Sequence, residues 1–401
     1  MILTNCSRHK YFYILIVFSL LIIGCQKYDS VLEQLDYEDT SVHVTSVSIK
    51  DTLLKGTGEK SFEIVENVVI TENYDLRPVF RIPSVIITNN GTILVSCENR
   101  EVLADKGEID ILVSRNNKED SFWEVRRVIP HNASDYGRSM NPIFLIDRNG
   151  KQGNLGRIYL FACHVKGGEF VDNSTAEDID FVYKYSDDDG KTWSPEYSLK
   201  NKWDNSDYTS IIPSAANGIQ LDDGTFLLPT MVVKDGHWHS GLLYKKVHEP
   251  WTFSTPTPNK DDNECTVYTD KDNNIILDCR TFDKVRHRYM FDLNRNCYTQ
   301  LESKQVKVDL KAEIHKRLNK KGECKFLLSY VDTPSNKREN ITLFISEDTY
   351  NWRKVYRIQD GHVTGSYSNV ASYGDLFVVA YETGNDIRVQ DASYFLKELD
   401  L

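Results

Sequence analysis

Basic residues are in short supply in this 401-residue chain: 48 Lys and Arg stand against 59 Asp and Glu, a net charge of −11. No basic stripe breaks that balance, which excludes the electrostatic footprint of a nucleic-acid binder. Cysteine occurs eight times but never as a CxxC pair, so the common zinc spacings are missing. Helical periodicity is scarce, which argues against a bundle or a doubly wound fold. Long apolar runs are nearly absent too. The one exception, "YFYILIVFSLLII" at 11–23, is shorter than an ordinary membrane-spanning helix needs. What is present is an apolar fraction of 40 %, with 22 Tyr and 17 Phe, enough for a sizeable core.

The short apolar run follows Arg8, His9 and Lys10, the order of an export signal. It ends in "IIGC", with Gly24 before Cys25, which resembles a bacterial lipoprotein box in which Cys25 is acylated and becomes the mature N-terminus. An uncleaved anchor or a plain signal peptide are the other readings. The polar, acidic stretch that follows reads as a tether, giving a signal at 1–24, a tether at 25–59 and a folded domain at 60–398. The expected location is therefore the cell envelope, periplasmic or on the outer surface, with the membrane touched only through the lipid. Past residue 25 the cysteines are 97, 163, 265, 279, 297 and 324, and their pairing, like the oligomeric state, is open.

One unit recurs six times: a strand, an Asn/Asp/Gly-rich turn, then a more apolar strand. "SVIITNNGTILVSCE" begins at Ser84, "GIQLDDGTFLLPTM" at Gly218 and "NVASYGDLFVVAYE" at Asn369. Such turns between alternating runs are hairpin signals. With one or two further strand-like stretches in each interval, the repeat predicts an all-β, six-bladed β-propeller.

Unusual polar residues stand at the hairpin ends. Arg81 in "VFRIPS" precedes the first hairpin and Arg100 in "SCENR" follows it. Glu264 precedes the fourth and Arg280 follows it; Arg338 comes after the fifth; Tyr367 precedes the sixth and Glu382 ends it. In a propeller the innermost strands circle one axis, so corresponding ends converge. A single arginine at a strand end is ordinarily a solvated or ion-paired surface residue. Four sharing a pocket would repel unless an anion neutralised them. The guanidinium fork matches a carboxylate with two parallel bonds. These residues read as a carboxylate receptor in an acidic protein.

The motifs resemble those of the exo-sialidases of the neuraminidase superfamily. "FRIPS" is similar to that family's F/Y-R-I-P motif, and "SDDDGKTW" (186–193) to its structural Asp-box, with "SEDTYNW" (346–352) and "NNKEDSFW" (116–123) as worn copies. The resemblance implies a triad of Arg81, Arg280 and Arg338 on the substrate carboxylate, with Arg100 at the pocket edge and Glu382 bracing Arg81. It also implies Tyr367 as nucleophile, Glu264 as its base and Asp105, in "DKGEIDILVSR", as acid/base. An acid there would be expected in a partly apolar setting. "GRSMNP" (137–142) resembles a sugar-pocket loop, which makes Met140 and Asn141 candidates for substrate contact. "PSAANG" (213–218) departs from the family's Gly-Pro-Gly-rich turn. The implied activity is retaining release of terminal α-linked sialic acid from sialylated glycans or glycolipids, with no metal or cofactor. Hydrolysis of another 2-keto-3-deoxy sugar acid and non-catalytic binding of sialylated glycans are the alternatives.

Overall fold

The computed structural model describes residues 50–56, 62–63, 68–70, 76–117, 122–131, 137–149, 155–166, 178–200, 208–306, 310–334, 337–359, 361, 366–399 and 401. The chain divides into two compact units, Met1–His43 and Val44–Leu401, and all described residues belong to the second. Cys25 and the signal reading lie outside the described residues.

The described strands form five sheets in a propeller-like, all-β arrangement, and four of these sheets hold four or five strands each. The largest has nine strands. One part of it runs Val79–Ile87, Ile93–Arg100, Ile109–Asn116 and Trp123–Ile129; another runs Arg138–Asp147, Arg157–Val165, Ile179–Ser186 and Tyr197–Ser198. A single parallel pair, Ile109 with Arg138, joins the two parts.

Strands such as Val79–Ile87 are buried along nearly their whole length because each sheet is covered on both faces by its neighbours. The cores record this. Val85, Val95 and Leu112 pack with Val378, Ala380 and Ile387, while Ile143 and Phe161 pack with Ile211, Phe226 and Leu243. Tyr268 and Ile276 meet Ile314 and Phe326, and Leu327 and Leu343 meet Val370 and Val379. The succession of cores closes on itself.

The closing strand corrects one boundary. Lys50–Gly56 lies within the stretch read as a tether, yet it pairs antiparallel with Asp386–Asp391, from Lys50 opposite Gln390 to Leu54 opposite Ile387. An unpaired edge would otherwise be left beside the last strand. The folded unit therefore starts before residue 60.

Two turns show why the Asp motif recurs. Asp188 accepts the Thr192 N–H at 2.8 Å and its hydroxyl at 2.5 Å, and Ser186 Oγ accepts the Gly190 N–H at 2.9 Å. Gly190 has φ +81° and lies on the Leu94 side chain, so a Cβ there would collide. Trp193 packs against the core beside it. Asp348 does the same work in the second copy, accepting the N–H groups of Tyr350 and Asn351 at 2.8 and 2.7 Å. Part of the third copy, 118–121, lies outside the described residues.

For the site, what matters is that several first strands bend near the same end. Register shifts fall between Arg81 and Ser84, Met140 and Ile143, and Asp262 and Cys265. Ile82 has φ 54° and Asn141 φ 53°. A β-branched residue at positive φ costs about 1–3 kcal/mol. A bulge re-aims the side chains beside it, and here those include Arg81 and Glu264.

Candidate active site

The centre of the site is Tyr367, which ends the loop before Ser368–Tyr373. Its hydroxyl donates to Glu264 Oε1 at 2.5 Å, and Arg280 Nη1 donates to that hydroxyl at 3.1 Å and to Glu264 Oε2 at 2.6 Å. The Arg81 guanidinium carbon lies 5.5 Å from the Tyr367 ring centre and that of Arg338 lies 5.8 Å from it. Three arginines widely separated in sequence thus surround one phenol.

Glu382 fastens this group. Fully buried at the end of Leu376–Thr383, it accepts Arg81 Nε at 3.2 Å and the Ile82 N–H at 2.8 Å on one oxygen. Its other oxygen accepts the Tyr367 N–H at 3.1 Å, and its own N–H donates to the Tyr367 carbonyl at 2.9 Å. One carboxylate therefore sets both the strained Ile82 turn and the backbone that carries the phenol.

Burial, with the Glu264 carboxylate next, pushes the Tyr367 phenol well above its ordinary value, against the opposing pull of Arg280 and Arg81. The phenol is neutral in the free protein and holds its proton toward Glu264. Burial alone would lower the Arg81 guanidinium; Glu382 and then Tyr367 reverse this, and the net direction is up.

Asp105 stands differently from the expectation. Its side chain is 56 % exposed and meets Arg100 Nη1 at 2.6 Å, so its setting is polar. Arg100 is also corrected. It is 1 % exposed, donates through Nε to Glu98 at 2.5 Å and through Nη1 to the Leu103 carbonyl at 3.0 Å. Its charge is neutralised from within, and it anchors the Asp105 loop instead of facing a substrate at the pocket edge. Met140 and Asn141 are likewise turned inward. The Met140 side chain packs among Ile109, Cys163, Val165 and Ile212. Asn141 Nδ2 donates to the Pro213 carbonyl at 2.9 Å.

Four contributors escaped the sequence reading. Glu98 is fully buried and accepts both Arg100 and the Asn141 N–H, the latter at 2.7 Å. Its signal was its place two residues before Arg100, on the same face of one strand. Arg138, 1 % exposed, donates to the Asp105 carbonyl at 2.6 Å and to the Lys166 carbonyl at 2.9 Å. In "PSAANG", Asn217 donates to the Val85 carbonyl at 2.7 Å and to Asn369 Oδ1 at 3.1 Å, and accepts the Phe144 N–H at 3.2 Å. Lys311 donates to the Ala215 carbonyl at 2.7 Å and to Glu313 at 3.1 Å. That turn bridges several first strands where Arg81 and Tyr367 are held.

Chemically, the arrangement offers a neutral phenol with an adjacent base, a cationic cup open to an anion, and a solvent-facing carboxyl held by buried Arg100 on a loop whose backbone buried Arg138 anchors.

Residues 102–379 match the family described as the BNR repeat-like domain. A sialidase of Clostridium perfringens is 30 % identical over 217 residues, 50 % of this chain and 55 % of that relative. A sialidase of Paraclostridium sordellii is 24 % identical over 352 residues, 79 % of this chain and 85 % of the relative. Among solved structures, the Hadza microbial sialidase Hz136 superposes with a TM-score of 0.70 at 22 % identity, covering 79 % of this chain and 66 % of that one, which shows a shared fold. The match thus spans about half the length of the first of these relatives. With more than half of its length matched, this chain belongs to the BNR repeat-like domain family.

Proposed function

We propose that the protein is a retaining exo-α-sialidase built on a six-bladed propeller. The count of six follows when the nine-stranded sheet is divided at the single Ile109–Arg138 pair. The turns at Asp188 and Asp348 are then its Asp-boxes. The activity rests above all on one observation: the Tyr367 hydroxyl lies 2.5 Å from Glu264 inside a ring of three arginines. The sialidases among its relatives support the same reading.

Sialic acid carries a carboxylate on its anomeric carbon. A carboxylate nucleophile would approach that charge against repulsion, whereas a neutral phenol does not, and sialidases are the tyrosine exception among glycosidases. In this reading Arg81, Arg280 and Arg338 hold the substrate carboxylate. The phenol's proton passes to Glu264 as its oxygen bonds to the anomeric carbon. The bond to the leaving oxygen breaks as Asp105 supplies a proton to it. Asp105 then takes a proton from water, whose oxygen displaces Tyr367, and Glu264 returns the phenol's proton. Two displacements leave the anomeric configuration unchanged.

Release of free sugar from a fluorogenic α-sialoside tests the activity, and Tyr367→Phe with unaltered folding should abolish it. Full turnover by that variant would refute the assignment. A parallel assay on other 2-keto-3-deoxy acid glycosides defines the sugar. Export and lipidation at Cys25 belong to the same proposal; metabolic labelling with a fatty acid, lost in Cys25→Ala, checks them.

A further inference from the structure

The strands Asp262–Thr269 and Ile275–Thr281 form a hairpin whose register sets Cys265 directly opposite Cys279. The Cys265 N–H turns away from the partner strand and donates to Ser214 Oγ at 2.6 Å. A hydrogen-bonded antiparallel pair exchanges both N–H bonds, so these two residues form the other kind of pair. In that kind the Cα atoms lie about 4.5 Å apart and the side chains are closest. Disulfides require Cα atoms about 4.4–6.8 Å apart. Both side chains are fully buried in one cluster with Val267, Leu277 and Tyr289, where the Cys265 thiol accepts Ser214 Oγ at 3.6 Å and donates to the Thr230 carbonyl at 3.8 Å.

The other described cysteines have different partners. Cys97 faces Leu112; Cys163 faces Phe181 and Met140; Cys297 faces Asp292; Cys324 faces Leu318.

We infer that Cys265 and Cys279 form a cross-strand disulfide when the chain folds under oxidising conditions, clamping the hairpin that carries Glu264 and Arg280. The two thiols give two electrons and two protons to a disulfide oxidant of the thiol–disulfide exchange class, such as oxidised glutathione. The oxidant's S–S bond breaks to two thiols as the Cys265–Cys279 bond forms. Both sulfurs are sealed in the finished fold, so exchange takes place while the hairpin is still uncovered. The hairpin is local, turning at Asp270–Asn274, where the Asp270 N–H donates to the Asn274 carbonyl at 2.9 Å, so the pair meets early. The bond adjoins the bulge between Asp262 and Cys265 that aims Glu264. It fixes the Glu264–Arg280 spacing from the backbone side, whatever substrate the site takes.

The test uses the full chain expressed into an oxidising compartment and purified without reductant. The protein is denatured, alkylated and digested without reduction, then mapped by mass. The expected result is a peptide joining Cys265 to Cys279, two alkylated thiols fewer than after reduction, and a melting temperature about 3–5 °C above that of the same chain folded reduced. The Cys265→Ala/Cys279→Ala variant should melt at the same temperature whether folded with or without oxidant. Full alkylation of both cysteines in protein that was never reduced, or their linkage to other cysteines, would overturn the inference.

Discussion

Two groups of arginines in this protein differ in what neutralises them. Among the described residues Arg81 leans on Glu382 and Arg280 on Glu264, and both remain 13 % exposed; Arg81 and Arg338 lie against the Tyr367 ring while Arg280 bonds its hydroxyl. Arg100 and Arg138 are 1 % exposed and taken up by Glu98, by Asp105 and by main-chain carbonyls. Both groups sit at ends of strands in similar sequence settings. The difference is what each guanidinium still has to offer: the first group keeps part of its charge exposed beside Tyr367, while the second stiffens the loop that carries Asp105. Residue type and position therefore pick out arginines near Tyr367 and Asp105; partners and exposure divide them into the two groups.

Substitutions in each group should separate the roles. The largest effect belongs to Arg280→Ala, which removes donors to both Glu264 and Tyr367. Its kcat/KM on a sialoside should fall about 10²–10³-fold, as loss of two charge-assisted hydrogen bonds implies, with the melting temperature changed by only a few degrees. Arg100→Leu should behave in the opposite way. It leaves Glu98 buried without its cation and should cost about 3–5 kcal/mol in denaturant unfolding, since breaking a buried pair strands a charge. A stable Arg100→Leu protein, with only KM raised, would erase the distinction between the groups.

A smaller effect comes from a third cationic setting, near Ser372. His315, 2.9 Å from Ser372 Oγ, has its pKa lowered to about 4 by burial first and by Arg148 and Arg317 next. Between about pH 6.5 and 4 the unfolded chain binds a proton that the folded one refuses, so stability should decline as pH falls through that window. His315→Gln should flatten the decline in thermal melts recorded across it. The smallest effect is at the turn of Asp348, whose pKa is lowered to about 2 by its hydrogen bonds to Asn351, Tyr350 and Ser346, in spite of partial burial. The stability it contributes is present above pH 4 and disappears as pH falls toward 2. Asp348→Ala should lose about 1 kcal/mol at pH 7, measured by chemical denaturation, with activity unchanged.

The all-β, propeller-like arrangement and the polar residues that meet around Tyr367 were legible in the sequence, because a charged or phenolic side chain beside an apolar strand breaks a period-2 pattern in plain view. Arg81, Arg280, Arg338, Glu264, Tyr367 and Glu382 all stand out in this way. Glu98 was hidden by its neighbour, as "SCENR" draws attention to Arg100, and only burial reveals that the pair neutralises itself. Arg138 and Asn217 were hidden for another reason. Their partners, the Asp105 and Val85 carbonyls, are backbone groups of distant segments, and backbone leaves no trace in composition. The strand Lys50–Gly56 was lost to the acidic stretch before it, since its partner lies more than 300 residues away and such pairing follows no local rule.

The central claim is that Tyr367, released by Glu264 and screened by three arginines, bonds to the sugar. Incubation with a fluorinated sialosyl fluoride, which slows breakdown of a glycosyl-enzyme, followed by peptide mapping of the quenched protein, tests it most directly. One sugar attached to the peptide containing Tyr367, and none in Glu264→Ala, is the predicted result. A protein that hydrolyses sialosides while that peptide stays unlabelled, or that is labelled on a carboxylate instead, contradicts it.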